Sequence, residues 1–152
     1  MTPIEATLAL ITRKSFKHFV KEFWNIVPGA NVLTWNWHMD VLCEELQEQA
    51  LRVYQSTPKS HDTIINISPG TSKSTICSIM FQPWVWTFFP RARHMCASHT
   101  DTLVTDLAYK SREILWSDKY KTLFPEVKLC DDKTGVRLYR NTHGGDRLSC
   151  TV

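Results

Sequence analysis

The sequence predicts an α/β fold with a mostly parallel sheet and flanking helices, and two stretches of the chain predict it. Thr63-Ile64-Ile65-Asn66-Ile67 is a short β-rich apolar run that gives way at Pro69-Gly70 to a helical pattern through Ile76, Ile79 and Met80. Arg93-His94-Met95-Cys96-Ala97-Ser98 reads as a second strand, and Thr100-Asp101 then opens a helix with Leu103, Val104, Leu107, Ala108, Ser111, Ile114 and Leu115 on one face. Two strands, each followed by a helix long enough to cross back over the sheet, argue for parallel pairing.

The remaining elements follow in order. Thr2-Pro3-Ile4-Glu5 combines a hydroxyl cap, proline at the first helical position and glutamate at the third, the signature of a helix start. Phe16, Phe19, Val20 and Phe23 continue that helical arm as a packed face until Pro28-Gly29 ends it. Trp35, Trp37 and His38 precede a further helix with Val41, Leu42, Leu46, Ala50 and Val53 on one side, broken at Thr57-Pro58. The aromatic run from Phe81 to Phe89 calls for burial against a neighbouring layer or subunit. On the helix after the second strand, Asp101, Asp106, Lys110, Arg112 and Glu113 form the expected solvated face. In the tail, Val136-Arg137-Leu138-Tyr139-Arg140 and Arg147-Leu148-Ser149-Cys150-Thr151-Val152 alternate around turn residues at 141–146, a β-hairpin. The acidic pair in Val127-Lys128-Leu129-Cys130-Asp131-Asp132 reads as the start of a turn, because Lys133-Thr134-Gly135 follows. One domain therefore comprises a helical lead-in (1–58), an α/β core (63–126) and a hairpin extension (127–152).

Composition narrows the classes. With 152 residues, 43% apolar and 22% charged, the chain has the size and balance of one globular domain. Its net charge of +3 is compatible with an acidic partner without announcing one. Five cysteines are scattered with no C-x-x-C pair, so reduced, mostly buried thiols are expected. The six histidines are equally dispersed, which argues against a Cys/His metal centre. No apolar run approaches the roughly 18 residues of a membrane span, and no signal peptide opens the chain, so a cytoplasmic protein without a membrane partner is expected.

The chemistry concentrates at Ser68-Pro69-Gly70-Thr71-Ser72-Lys73-Ser74-Thr75. The first turn of a helix has N–H groups without intrahelical partners, and its dipole favours an anion there. A lysine and a hydroxyl at that point suit a nucleotide: Lys73 for the β- and γ-phosphates, Ser74 for Mg²⁺. The spacing departs from the strict phosphate-loop pattern, which asks for glycine where Ile67 and Ser72 stand. An ordinary turn with a solvated Lys73 is the competing reading. Trp37 and His38, just upstream, could stack on an adenine ring or could anchor the core.

Taken together, the helical lead-in, Trp37-His38, the variant loop, Ala97-Ser98 before Leu103, Arg112-Glu113-Ile114-Leu115, Ser117-Asp118-Lys119-Tyr120, Phe124-Pro125 and Gly144-Gly145 resemble the N-terminal ATPase region of the large terminase subunit of tailed bacteriophages. The resemblance implies a RecA-like ATPase core, incomplete at the C-terminus, that couples ATP hydrolysis to translocation of double-stranded DNA in the host cytoplasm. ATP and Mg²⁺ are the implied cofactors; the small terminase subunit, the portal and other copies in a ring are the implied partners. By position, Ser68, Pro69, Gly70, Thr71, Ser72, Lys73, Ser74 and Thr75 hold the nucleotide with Trp37 and His38, Ser74 takes the metal, and Lys73 and Arg112 are catalytic, Arg112 as the arginine acting across a subunit boundary.

Family members continue past the hairpin to a strand ending in paired acidic residues and then to a nuclease domain, and this sequence ends at Val152. The expectation is therefore a nucleotide-binding region that hydrolyses poorly and associates through an unpaired sheet edge. The alternatives from other classes are a non-catalytic prophage-remnant interaction module, for which Ser72 in place of glycine speaks, and a small-molecule kinase.

Overall fold

The computed structural model describes residues 2–152, with side chains described at all of these but 132–134. Helix α1 (Pro3–Lys14) starts as the sequence predicts. Thr2 Oγ1 accepts from the Glu5 N–H at 3.2 Å, and Glu5 Oε2 accepts from the Thr2 N–H at 2.6 Å, so each residue satisfies a backbone donor that the first turn leaves free. The arm is not continuous, because Ser15 is extended and caps a separate helix, α2 (Phe16–Phe23). That break turns Phe16, Phe19, Val20 and Phe23 inward together, and all four are buried. A 3-10 turn (Trp24–Ile26) and Gly29, at φ +74°, close the segment.

Helix α3 (Trp37–Tyr54) is capped by Asn36, whose side chain accepts from the Trp37 N–H at 2.8 Å. Its buried stripe is narrower than the sequence predicts. Leu42 and Ala50 are buried and Leu46 packs on the core, whereas Val41 and Val53 face solvent.

The aromatic run packs within its own chain. A π-helical stretch (Thr75–Met80) leads into α4 (Phe81–Trp86). Pro83 lacks the N–H that an α-helical Ile79 carbonyl would need, and the wider turn upstream accommodates that gap. Trp84 and Trp86 are buried with their indole N–H groups satisfied, by the Thr12 carbonyl at 3.1 Å and the Ala92 carbonyl at 2.9 Å. Tyr120 of α6 (Asp118–Leu123) donates its hydroxyl to the Pro83 carbonyl at 2.8 Å and packs edge-on to Phe19 and Phe23. One hydrophobic cluster thus runs from Ala9 to Tyr139 and joins the lead-in, the middle and the tail. Helix α5 (Asp101–Trp116) is capped by Thr100, as its sequence predicts.

The sheet corrects the expected fold class. Its strands β1 (His94–Ser98), β2 (Leu129–Thr134), β3 (Leu138–Asn141) and β4 (Asp146–Thr151) lie in the order β1-β4-β3-β2. Only β1 and β4 pair in parallel; β4 with β3 and β3 with β2 are antiparallel. The mostly parallel, RecA-like sheet implied by the sequence is therefore not the architecture of the described residues.

Two local misreadings account for the difference. The run at 63–67 is extended but pairs with no strand of this sheet, and Ile65 and Ile67 instead rest on the core. Strand propensity measures fit to a half-buried surface, and here the packed core supplies that surface. The C-terminal hairpin is present, but it forms the centre of the sheet rather than an extension of it. Asp131 and Asp132 also lie in the backbone of β2, not in a turn, which comes later, around Gly135.

The hairpin turn is held by Asn141. Its Oδ1 accepts from the N–H groups of His143 and Gly145, both at 3.0 Å, and its Nδ2 donates to the Pro90 carbonyl at 2.7 Å. A Cβ on Gly145 would lie 2.1 Å from that carbonyl oxygen and 2.9 Å from that of Ala92. Gly145→Ala is therefore expected to cost about 3 kcal/mol in urea denaturation, because backbone atoms must move. Gly144→Ala, with open space around a φ of +86°, should cost only about 1 kcal/mol.

Candidate phosphate-binding loop

The loop at 68–74 changes backbone hand twice. Gly70 has φ +79°, in the left-handed region that glycine enters without penalty, and Ser72 has φ +63°, which costs a side-chain-bearing residue strain. Lys73 and Ser74 are helical immediately afterwards, with the Ile76 N–H bonding the Ser72 carbonyl at 3.0 Å. A left-handed residue followed by right-handed ones turns successive N–H groups to one side, the geometry of an anion-binding nest. Ser72 thus holds a left-handed conformation that glycine enters without strain, at the position where the strict pattern asks for glycine.

Two contacts brace the loop. The Thr71 hydroxyl donates to the Ser68 carbonyl at 2.7 Å, and His38 Nε2 lies 3.1 Å from the Thr71 carbonyl. A carbonyl only accepts, so His38 carries its proton on Nε2 and ties the loop to the first turn of α3. Ser68, Pro69, Gly70 and Ser74 are exposed, while Thr71, Ser72, Lys73 and Thr75 are half-buried. Burial pushes the thiol of Cys77, one turn beyond Lys73, up to about 11, and the lysine's charge draws it partly back.

Beside the loop, a cleft of about 590 Å³ separates α3 from the extended segment, lined by Trp37, His38, Val41, Ile64 and Ile67 among others. Trp37 is 72% exposed and Ile64 90%, so two large apolar side chains stand open to solvent at its walls. Such a cleft can take a flat aromatic group whose phosphates lie on the loop. Trp37 and His38 therefore line one wall of this cleft, and His38 reaches the loop at Thr71.

Arg112 lies elsewhere in its packing than the sequence suggests. It is 8% exposed, with its guanidinium 4.2 Å over the ring of Trp116, so it is held inside its own chain rather than on the solvated face of α5. Asp101, on that same helix, pairs with Arg137 and accepts from the Thr151 hydroxyl at 2.8 Å, pinning α5 to the end of β4. Among the described residues no group of three or more His, Cys, Asp or Glu side chains is arranged to hold a metal ion. No helix among them is long and apolar enough to cross a membrane.

Sequence reasoning missed the residues that set the outer wall of the cleft. Glu45 Oε1 accepts from Thr63 Oγ1 at 2.6 Å and His61 Nε2 at 2.8 Å, fastening the extended segment to α3, and from Gln49 Nε2 of its own helix at 3.1 Å. These bonds, that of Thr63 first, hold the Glu45 carboxyl down to about 2 from its ordinary 4.5. A depressed carboxyl contributes stability above its unfolded pKa and loses it as pH falls through the folded one. The fastening should therefore be complete above about pH 4.5 and fail toward pH 2. An NMR titration of the Thr63 amide should show that transition, and Glu45→Gln should abolish it.

No protein-family model, no curated protein and no solved structure matches this chain.

Proposed function

We propose that the loop at 68–74 binds the phosphates of a nucleoside triphosphate, with the base in the cleft lined by Trp37, and that the chain is the ATP-binding region of a DNA-packaging motor of the terminase kind. The observation that carries the nucleotide reading is the left-handed Ser72 directly ahead of helical Lys73 and Ser74. In that reading the loop N–H groups and the Lys73 ammonium neutralise the phosphates, and the Ser74 hydroxyl holds the Mg²⁺ that travels with them. Mg²⁺ commonly keeps several waters and binds through few protein oxygens plus phosphate, so a single exposed hydroxyl suits it without a cage of carboxylates, and none is found among the described residues.

The packaging role rests on the ordered set of motifs in the sequence. Double-stranded DNA, the small terminase subunit, the portal and a ring of copies belong to the proposal on that ground alone. The antiparallel majority of the sheet gives it no support, so the loop and not the fold bears the functional reading.

Isothermal titration of MgATP into the protein tests it. Saturable binding that pyrophosphate competes away, and that Trp37→Ala weakens for ATP but not for pyrophosphate, is the expected result. No binding of either ligand would overturn the reading.

A further inference from the structure

A second cleft, of about 500 Å³, opens where α5, α6 and β2 meet, and it shares no residue with the cleft beside the phosphate loop. The chain changes direction on either side of it. Ser117 is extended, which stops α5 at Trp116, and its hydroxyl oxygen accepts from the Tyr120 N–H at 3.2 Å to start α6. Beyond α6 the Val127 N–H bonds the Phe124 carbonyl at 3.0 Å, and the Lys128 carbonyl accepts from the Thr142 N–H at 2.8 Å, so the chain turns back into β2.

The cleft combines an apolar lining with exposed charge. Leu115 and Val127 are buried, and Trp116, Pro125 and Leu129 complete the apolar part. Trp116 is 39% exposed, while the Arg112 guanidinium, 4.2 Å from its ring centroid, steadies the indole, so a held flat surface stands open to solvent here. Lys121 and Lys128 also line the cleft, and both are exposed. Neither ammonium forms an ion pair among the described residues. With Asp131, the described lining carries two positive charges and one negative.

We propose that this cleft binds a small organic monocarboxylate with a flat apolar body, of the size of a bicyclic aromatic acid. Its volume falls within the roughly 300–1,000 Å³ of small-molecule sites, and the buried aliphatic side chains with the exposed indole give the apolar body a surface to lie on. The excess of one positive charge in the described lining matches one carboxylate. A neutral ring would leave both lysines unused, and a polyanion would meet the Asp131 carboxylate. The site is separate from the phosphate loop and does not rest on the nucleotide reading.

Titration of 2-naphthoate into the nitrogen-15-labelled protein, followed by NMR, tests the proposal. The indole N–H resonance of Trp116 should shift along a saturating curve, that of Trp37 should stay in place, and MgATP should not displace the ligand. Lys121→Gln combined with Lys128→Gln should weaken naphthoate binding about 5- to 10-fold, as two exposed charge contacts would, and leave binding of the neutral 2-naphthamide unchanged. Trp116→Ala should weaken both ligands. No saturable shift at Trp116, a shift that MgATP reverses, or unchanged naphthoate affinity in the double lysine variant would overturn the proposal. Should Trp116→Ala not fold, the double lysine variant decides, because both of its side chains are exposed and outside the core.

Discussion

Lys73→Ala is expected to weaken MgATP binding by about 10- to 100-fold while leaving the fold intact. The magnitude follows from the loss of one charge-assisted hydrogen bond to phosphate, worth about 1.5–3 kcal/mol. The side chain is only half-buried and is not among the buried core residues, so its truncation should leave the unfolding midpoint nearly unchanged. Calorimetric titration alongside urea denaturation separates the two effects. Unchanged affinity in the variant would return Lys73 to an ordinary surface charge and leave the prophage-remnant reading in possession.

Trp84→Ala should have the largest effect on stability, about 4 kcal/mol. The indole is buried, packs 4.8 Å from the Phe16 ring and 4.9 Å from that of Phe88, and donates to the Thr12 carbonyl across to α1. Truncation leaves a cavity bounded by rings that cannot collapse into it, and strips a carbonyl of its partner. Against a total of about 5–15 kcal/mol for a typical domain, such a loss is a large share of the whole. Guanidinium denaturation of the variant, followed by far-ultraviolet circular dichroism, measures it. A cost below about 1 kcal/mol would mean that the lead-in helices are not part of the cooperative core.

Two helix starts were legible because their causes are local: Thr2 with Glu5, and Thr100, each satisfy first-turn donors within a few residues of themselves. The cap at Asn36 and the break at Ser15 went unread. The sheet was not legible, because alternation shows that a strand exists and not which strand it meets. Nothing near His94 in sequence shows that its partner is Arg147. The β-branched run at 63–67 was misleading for the same reason, since a packed core can supply the surface it prefers. Burial was harder still for amphipathic side chains: Arg112 sits on the polar stripe of α5 by spacing, yet the ring of Trp116 receives it.

At the site, the position of the loop could be read from the breaker at Pro69-Gly70 and from Lys73-Ser74. Its tether to His38 and the double fastening at Glu45 depend on residues brought together from a distance, and no local pattern encodes them.

The order β1-β4-β3-β2 also has a consequence for how the chain reaches its native state. β3 and β4 are joined by a tight turn and β2 lies next to them in sequence, so these three strands can zip with short loop closures. β1 must wait for β4, since their pairing closes a loop spanning everything between 98 and 146. The parallel pair is then the late, slow event, and conservative substitutions in β1 should speed unfolding while leaving the refolding rate nearly untouched. Until it docks, β4 is itself an open edge, and the refolding chain passes through a window in which self-association competes with completion of its own sheet.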